Sequence, residues 1–94
     1  MSDPFQREHG IIRRLVRAGR YVLTEHCLDE MITDGLRVDD IERVVTERSI
    51  IRSEADSVGG RRKYVIFGRT TLDFEAEVIA AIRGQVVIIT VYLL

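Results

Sequence analysis

The sequence predicts an α+β domain in which about three N-terminal helices precede a four-stranded antiparallel meander, with the helices on one face of the sheet. Two observations predict this class. Up to about residue 48, apolar residues recur at the three- and four-residue spacing of helices, and from Ser49 onward they alternate every second residue. A length of 94 residues fits a single domain over residues 1–94, because two domains would leave neither with a core.

The first helix is predicted over roughly residues 4–18. Asp3 followed by Pro4 is typical of a helix start, because the aspartate accepts amide hydrogens and proline fits the first turn. Gly19 closes the run of helically spaced apolar residues. Residues 1–23 hold five arginines against two acidic residues. This basic strip has two interpretations: contact with nucleic acid, or ion pairing with the acidic middle of the chain.

The second helix is predicted to follow an extended link at residues 21–23. Thr24 is a capping residue, and Gly35 ends the helix. Its predicted apolar stripe consists of Cys27, Leu28, Met31 and Ile32. His26 lies on the opposite, polar side of this helix.

A third helix is predicted from a capping box formed by Asp39 and Glu42. Ile41, Val44 and Val45 are spaced to face inward, and the helix ends at about Arg48.

Strands are predicted at residues 49–54, 61–68, 72–82 and 86–92. The third strand has the clearest pattern, because its even-numbered residues are apolar and alternate with Asp73, Glu75 and Glu77. We expect the even-numbered side chains to face the helices and the opposite face of the sheet to stay open. Gly84 and Gln85 suit a two-residue hairpin turn, and residues 56–60 suit a glycine-rich one.

Turn lengths predict the register on the outer face. A four-residue loop before the third strand places Arg62 opposite Glu77, and the next hairpin places Thr90 beside Ile79 and Tyr92 beside Glu77. These positions would form a polar row across three strands.

Composition narrows the function classes. Hydrophobic residues make up 46% of the chain and charged residues 31%, which is typical of a globular domain. The pI of about 6.1 lacks the strongly basic balance of many nucleic-acid binders. A single cysteine, no leader-like N-terminus and no long apolar run favour a cytoplasmic domain without membrane contact. No cofactor is expected, because no nucleotide loop or paired-cysteine motif is present.

His26 is open to three interpretations. It is suited to acid–base catalysis, because a free histidine titrates near neutrality. A metal site would need further ligands besides Asp29 and Glu30 on the same helix side, so we expect no metal. The third interpretation is a solvated histidine that binds a neighbouring carboxylate. Cys27, in the apolar stripe, is expected to be a small core residue.

The run Arg61-Arg62-Lys63 also has two interpretations. Arginine forks bind phosphate well, so the run suits a polyanionic substrate. Alternatively, Arg62 forms a cross-strand ion pair with Glu77.

Five segments, LTEHCLDEM, DGL, DDIERVV, RRKYVIFGRT and VVIITVY, together resemble domain-of-unknown-function family 4258, from about Ile12 to the end of the chain. Such domains look like distant relatives of the RelE/ParE toxins, which have helices before an antiparallel sheet and cut RNA on its open face. The resemblance implies a RelE-like fold, with RNA and an antitoxin-like protein as partners. His26 matches the family's histidine near the start of the second helix. Glu30 and Asp34 stand where arginine is common among the relatives that the chain resembles.

The leading hypothesis is therefore a toxin-like, metal-independent ribonuclease. In it His26, Arg62 and Tyr92 are catalytic, and the substrate contacts Arg61, Lys63 and Thr90.

The alternative hypothesis is a non-catalytic module that binds a protein partner, or itself as a homodimer, through the outer sheet face. It depends on an expected apolar area formed by Ile79, Ala81 and Ile88, since exposed apolar areas commonly mark interfaces.

Overall fold

A computed structural model describes residues 4–47, 50–55 and 62–94. The elements in chain order are α1 (Gln6–Arg17), β1 (Tyr21–Leu23), α2 (Glu25–Asp34), α3 (Val38–Glu47), β2 (Ile50–Ala55), β3 (Arg62–Arg69), β4 (Glu75–Ile82) and β5 (Val86–Leu93). The α+β class with three helices is confirmed. The predicted cap at Asp3, the glycine-rich turn at residues 56–60 and Arg61 lie outside the described residues.

The sheet has five strands rather than four, in the order β1-β5-β4-β3-β2. The segment Tyr21–Leu23, expected as a link, is the additional strand and runs parallel to β5, with Tyr21 opposite Val86. All other pairings are antiparallel. The link became a strand because β5 would otherwise present an unpaired edge, which three β-forming residues can cover.

Local signals defined the ends of α2 correctly. Thr24 has an extended backbone, and its hydroxyl accepts the amide hydrogen of Cys27 at 3.1 Å. Gly35 ends the helix in the left-handed region, with φ of 67°. The apolar stripe is only half buried: Cys27 and Met31 are in the core, whereas Leu28 and Ile32 are exposed. We attribute this to the position of α2, whose strand contacts are chiefly with β5.

The N-terminus of α3 is built differently from the predicted capping box. The helix begins at Val38, and the carboxylate of Asp40 accepts the amide hydrogen of Arg37 at 2.8 Å. Glu42 instead accepts a hydrogen bond from the Tyr21 hydroxyl at 2.9 Å. The acidic residue that satisfies the first turn is therefore Asp40, three positions after the cap.

The predicted start of the third strand was wrong. Leu72 and Phe74 are 77% and 58% exposed, and β4 begins only at Glu75. The preceding loop is held by hydrogen bonds of Thr70. Its amide donates to the Phe74 carbonyl oxygen, its hydroxyl accepts the amide hydrogen of Phe74, and its carbonyl oxygen accepts that of Asp73. Asp73 has a positive φ of 69°, which breaks strand alternation at this point.

This loop shifts the register between β3 and β4. Glu77 lies opposite Phe67, and Tyr64 lies opposite Ala80. The predicted pairing of Arg62 with Glu77 is therefore wrong, because the longer loop moves Glu77 toward the other end of β3.

The predicted register between β4 and β5 is correct at the end far from the hairpin turn and wrong at the end near the turn. Ile79 lies opposite Thr90 and Glu77 opposite Tyr92, as predicted, but Ala80 lies opposite Ile88 because of a bulge. The bulge inserts one residue into β5 and turns Ile88 to the inner face.

The core lies between the helices and one face of the sheet. Ala76, Val78 and Ala80 of β4 are fully buried there, which confirms the inward direction of the even-numbered residues within this strand. A buried histidine joins two helices: the Nε2 of His9 on α1 lies 2.8 Å from the carbonyl oxygen of Val45 on α3. No helix among the described residues is long and apolar enough to cross a membrane.

Candidate functional site

The first part of the site, which we call the edge cluster, comprises His26, Glu30, Thr90 and the backbone of Val91. It lies where β1 ends and leaves the next part of β5 without a strand partner on that side. The Thr24 hydroxyl donates to the carbonyl oxygen of Ile89 at 2.7 Å and so fixes the first turn of α2 beside β5.

Glu30 is the centre of the edge cluster. Its Oε1 accepts the amide hydrogen of Val91 at 3.2 Å and a short hydrogen bond from the Thr90 hydroxyl. Carboxylate hydrogen bonds of this kind satisfy a strand edge that would otherwise be open.

His26 shares the same carboxylate oxygen. Its Nε2 lies 3.2 Å from Oε1 of Glu30, one helical turn along α2. The side chain of His26 is 70% exposed and that of Glu30 only 27% exposed. The result is an accessible imidazole oriented by a carboxylate that the sheet itself holds in place.

The second part, which we call the face cluster, comprises Arg52, Glu77 and Tyr92 on the outer face of the sheet. The Tyr92 hydroxyl donates a short hydrogen bond to Oε1 of Glu77. A terminal nitrogen of Arg52 lies 3.7 Å from that oxygen, and its Nε donates to Glu54 at 2.9 Å. Glu77 is buried although it points away from the helices.

These contacts influence protonation in the face cluster. The hydrogen bond to Glu77, together with burial and the negative charge of Glu77, raises the pKa of Tyr92 above its ordinary value. Tyr92 is therefore a neutral hydrogen-bond donor across the physiological range. The hydrogen bond to Glu54 and the contact with Tyr92 raise the pKa of Arg52, which keeps it cationic.

The two clusters form one row. Thr90 and Tyr92 lie opposite Ile79 and Glu77, so both are on the outer face and two residues apart on β5. Two residues of a strand span about 7 Å. Thr90 thus connects the edge cluster to the outer face that carries Tyr92, Glu77 and Arg52.

The described residues of the predicted phosphate-binding run, Arg62 and Lys63, lie on opposite faces of the sheet. Arg62 lies opposite Ala55 and donates to the Ser53 hydroxyl at 2.8 Å, on the same side of the sheet as Tyr64. Tyr64 packs against the core on the helix side. Lys63 lies on the outer face opposite Glu54, and Arg61 is outside the described residues.

The expected apolar area on the outer face has different members from those predicted. Ile88 is in the core and Ala81 is buried, which leaves Ile79 half-buried. Phe67 and Val87 lie opposite Glu77 and Ala81 and are half-buried, so the outer face carries apolar as well as polar side chains.

Sequence reasoning missed two members of the site. Arg52 was not singled out, and Glu30 was considered only as a candidate metal ligand beside His26 and as a position where related domains have arginine. The signal for Glu30 was its i, i+4 spacing from His26, which places both on one helix side. Arg52 gave no signal, because its position opposite Val65 depends on the irregular β2–β3 register.

Neither metal binding nor cysteine chemistry finds support among the described residues. They contain no group of three or more histidine, cysteine and acidic side chains that could hold a metal ion. Burial, with a contribution from Glu30, raises the pKa of Cys27 to about 11, so its thiol stays protonated and unreactive.

The fold and the polar row define a small α+β domain with an open sheet face. The chain belongs to the family described as domain of unknown function (DUF4258), whose model matches residues 23–93. This confirms the family predicted from the sequence motifs, while the similarity to RelE and ParE toxins stays a prediction. Neither a curated protein nor a solved structure matches the chain.

Proposed function

We propose that this domain cleaves RNA without a metal ion, with the edge cluster and the face cluster acting as one acid–base site. The proposal is supported by the contact of His26 with Glu30, whose carboxylate is bonded to Thr90, two residues from Tyr92 on the outer face. Acid–base cleavage of RNA requires a proton acceptor, a proton donor and positive charge around one phosphate.

The chemistry assigned to the row is transfer of a phosphodiester within the RNA. His26 removes the proton from a ribose 2′-hydroxyl, whose oxygen then forms a bond to the adjacent phosphorus. The bond from phosphorus to the 5′-oxygen breaks, and that oxygen takes up the hydroxyl proton of Tyr92, which gives up its hydrogen bond to Glu77. The proton held by His26 then returns to Tyr92 through solvent. The products are a 2′,3′-cyclic phosphate and a 5′-hydroxyl.

Glu30 orients His26 by accepting a hydrogen bond from Nε2, which leaves Nδ1 to accept a proton from the substrate. Thr90 acts through Glu30, since its hydroxyl is bonded to that carboxylate.

Tyr92 supplies the neutral donor near the phosphate, and Arg52 and Lys63 supply positive charge on the same face. Arg62, which lies on the other face, is left out of this assignment. The two carboxylates limit the net positive charge of the row, so rates well below those of a strongly cationic nuclease are expected.

The decisive experiment incubates purified protein with labelled structured RNA and messenger RNA in the presence of a chelator. We expect cleavage that leaves 2′,3′-cyclic phosphate ends. His26→Ala is expected to reduce the rate by about 10²–10⁴-fold, the usual contribution of one acid–base group. Tyr92→Phe is expected to reduce it less.

Arg43→Gln is the matched control. Arg43 is an exposed residue of α3 that pairs with Glu47 at 3.2 Å, away from the site. Its rate is expected to equal that of the unaltered protein. The proposal fails if no RNA is cleaved, if the chelator abolishes cleavage, or if His26→Ala cleaves at the rate of the control.

A toxin-like role extends this proposal. Induced expression of an active RNA-cleaving domain would stop growth of the host cell, and His26→Ala would restore it. If both the unaltered protein and His26→Ala stop growth, the toxicity does not depend on the proposed cleavage chemistry.

A further inference from the structure

The exposed side of α1 is positively charged along its length. Arg7, Arg14 and Arg17 are exposed on the helix, and Arg20 is exposed just beyond its end. We call these four residues the basic face. Glu8, the acidic residue of α1, is only half-exposed and lies on a different side of the helix.

Several arginines elsewhere in the described chain are paired with acids. Arg37, Arg43 and Arg69 contact Asp39, Glu47 and Glu75 at 3.9, 3.2 and 3.4 Å respectively. The four arginines of the basic face have no ion pair with any described residue. In these pairs the acid lies close in sequence to its arginine, and the described acids leave the basic face without an ion pair.

The shape of the basic face suits a linear anion. From Arg7 to Arg17 the helix rises by about 15 Å, at about 1.5 Å per residue. Gly10 lies on this surface, and nothing is within 4 Å of the position that a Cβ atom would occupy there. The surface between the arginines is thus low and open.

We propose that the basic face binds the phosphate backbone of a nucleic acid, at a surface distinct from the edge and face clusters. Every cation in it is arginine, whose planar fork matches phosphate oxygens and holds its charge at any physiological pH. A nucleic acid, bound through its backbone, requires no apolar contact from the protein.

An acidic protein partner is less well matched to this surface. Protein interfaces concentrate their binding energy in buried aromatic and apolar anchors. Apart from the arginines, the exposed positions of residues 6–20 are Gln6, Gly10, Ala18 and Gly19, which provide no such anchor. The basic face also precedes residues 23–93 matched by the family model.

The test measures binding of a fluorescent 2′-O-methyl RNA by anisotropy over a range of salt concentrations. Methylation removes the nucleophile, so binding is measured independently of the proposed cleavage. Arg7→Gln/Arg14→Gln/Arg17→Gln is compared with Arg37→Gln/Arg43→Gln/Arg69→Gln. Both variants lose three positive charges, but the second loses paired arginines outside α1.

We expect the first variant to bind about tenfold more weakly, or worse, at low salt. The slope of log affinity against log salt should fall by about 2, because each lost phosphate contact removes about 0.7 on a single strand. The second variant should stay close to the unaltered protein. Circular dichroism should confirm that both variants remain folded, since Arg14 and Arg17 also lie favourably in the last turn of α1.

Three outcomes overturn the proposal: no binding of RNA by the unaltered protein at low salt, equal losses in the two variants, or binding of polyglutamate in preference to RNA. The last would assign the basic face to an acidic protein. Because the 2′-O-methyl RNA cannot be cleaved, failure of cleavage and failure of binding are separate results.

Discussion

Two carboxylates, Asp40 and Glu30, attach helices to the sheet region in the same way but with different exposure. Asp40 on α3 accepts the amide and hydroxyl hydrogens of Thr71 at 2.8 and 2.7 Å. Glu30 on α2 accepts the amide hydrogen of Val91 and the hydroxyl hydrogen of Thr90. Each joins a helix to backbone far away in the sequence.

The difference lies in what else each carboxylate contacts. Asp40 is only 5% exposed, and its other oxygen accepts the amide hydrogen of Arg37. Glu30 is more accessible and contacts the exposed ring of His26. The carboxylate of Asp40 is therefore shielded from solvent and contributes to the fold. The carboxylate of Glu30 makes the same kind of hydrogen bonds but also orients an exposed histidine.

The largest expected effect is on stability at Asp40. Asp40→Ala leaves the part-buried donors of Arg37 and Thr71 without their acceptor, and hydrogen bonds to charged groups contribute about 1.5–3 kcal/mol each. We expect a loss of about 3–4 kcal/mol in the free energy of unfolding, measured by urea titration. A loss below about 1 kcal/mol would contradict the structural role of Asp40.

A second effect follows from protonation of Asp40. Burial raises the pKa of Asp40, but the hydrogen bonds from Arg37 and Thr71 outweigh it, and the pKa is lowered below its ordinary value of 3.8. A lowered folded-state pKa stabilises the fold above the unfolded-state pKa, and this stabilisation is lost as pH falls through the folded-state pKa.

The difference in unfolding free energy between the unaltered protein and Asp40→Asn should therefore be constant above about pH 5 and shrink below about pH 4. Urea titrations of both proteins from pH 7 to pH 3 measure it. A constant difference throughout would mean that the charge of Asp40 does not contribute.

The comparison also shows what the sequence could predict. Thr24, Gly35 and the alternation of β4 follow from local preferences, so the limits of α2 and the inward face of β4 were predicted correctly. The predicted positions of Thr90 and Tyr92 opposite Ile79 and Glu77 were also correct. The bulge changes the register only between these residues and the hairpin turn.

The rest depends on contacts between distant segments. A single inserted residue in β5 leaves the apolar pattern almost unchanged, so the inward position of Ile88 could not be inferred. The link from Glu30 to Val91 exists only because β1 stops at Leu23 and α2 lies at that edge. Residue types alone did not distinguish Asp40 from Asp39 as the capping acid.

An intermediate effect is expected at Glu30. Glu30→Ala removes an edge hydrogen bond and a hydroxyl bond at a partly exposed position, which should cost about 1–2 kcal/mol in unfolding free energy. RNA cleavage, in the proposed mechanism, should fall far more than this loss of stability explains. Urea titration and cleavage rates at a temperature where the variant is folded measure both. A stability loss as large as that of Asp40→Ala would show that the two carboxylates contribute equally to the stability of the fold, which contradicts this prediction.

The smallest effect on stability is expected at His26 itself. His26→Ala removes a side chain that is 70% exposed and whose recorded contact is with Glu30, so the free energy of unfolding should change by less than about 0.5 kcal/mol. Glu30 would keep its bonds to Thr90 and Val91, and the edge of β5 would stay satisfied. Urea titration at pH 7 is the measurement, with Arg43→Gln as an exposed control. A loss above about 1.5 kcal/mol would show that the histidine is needed to hold α2 against β5. His26 would then have a structural role like that of Asp40.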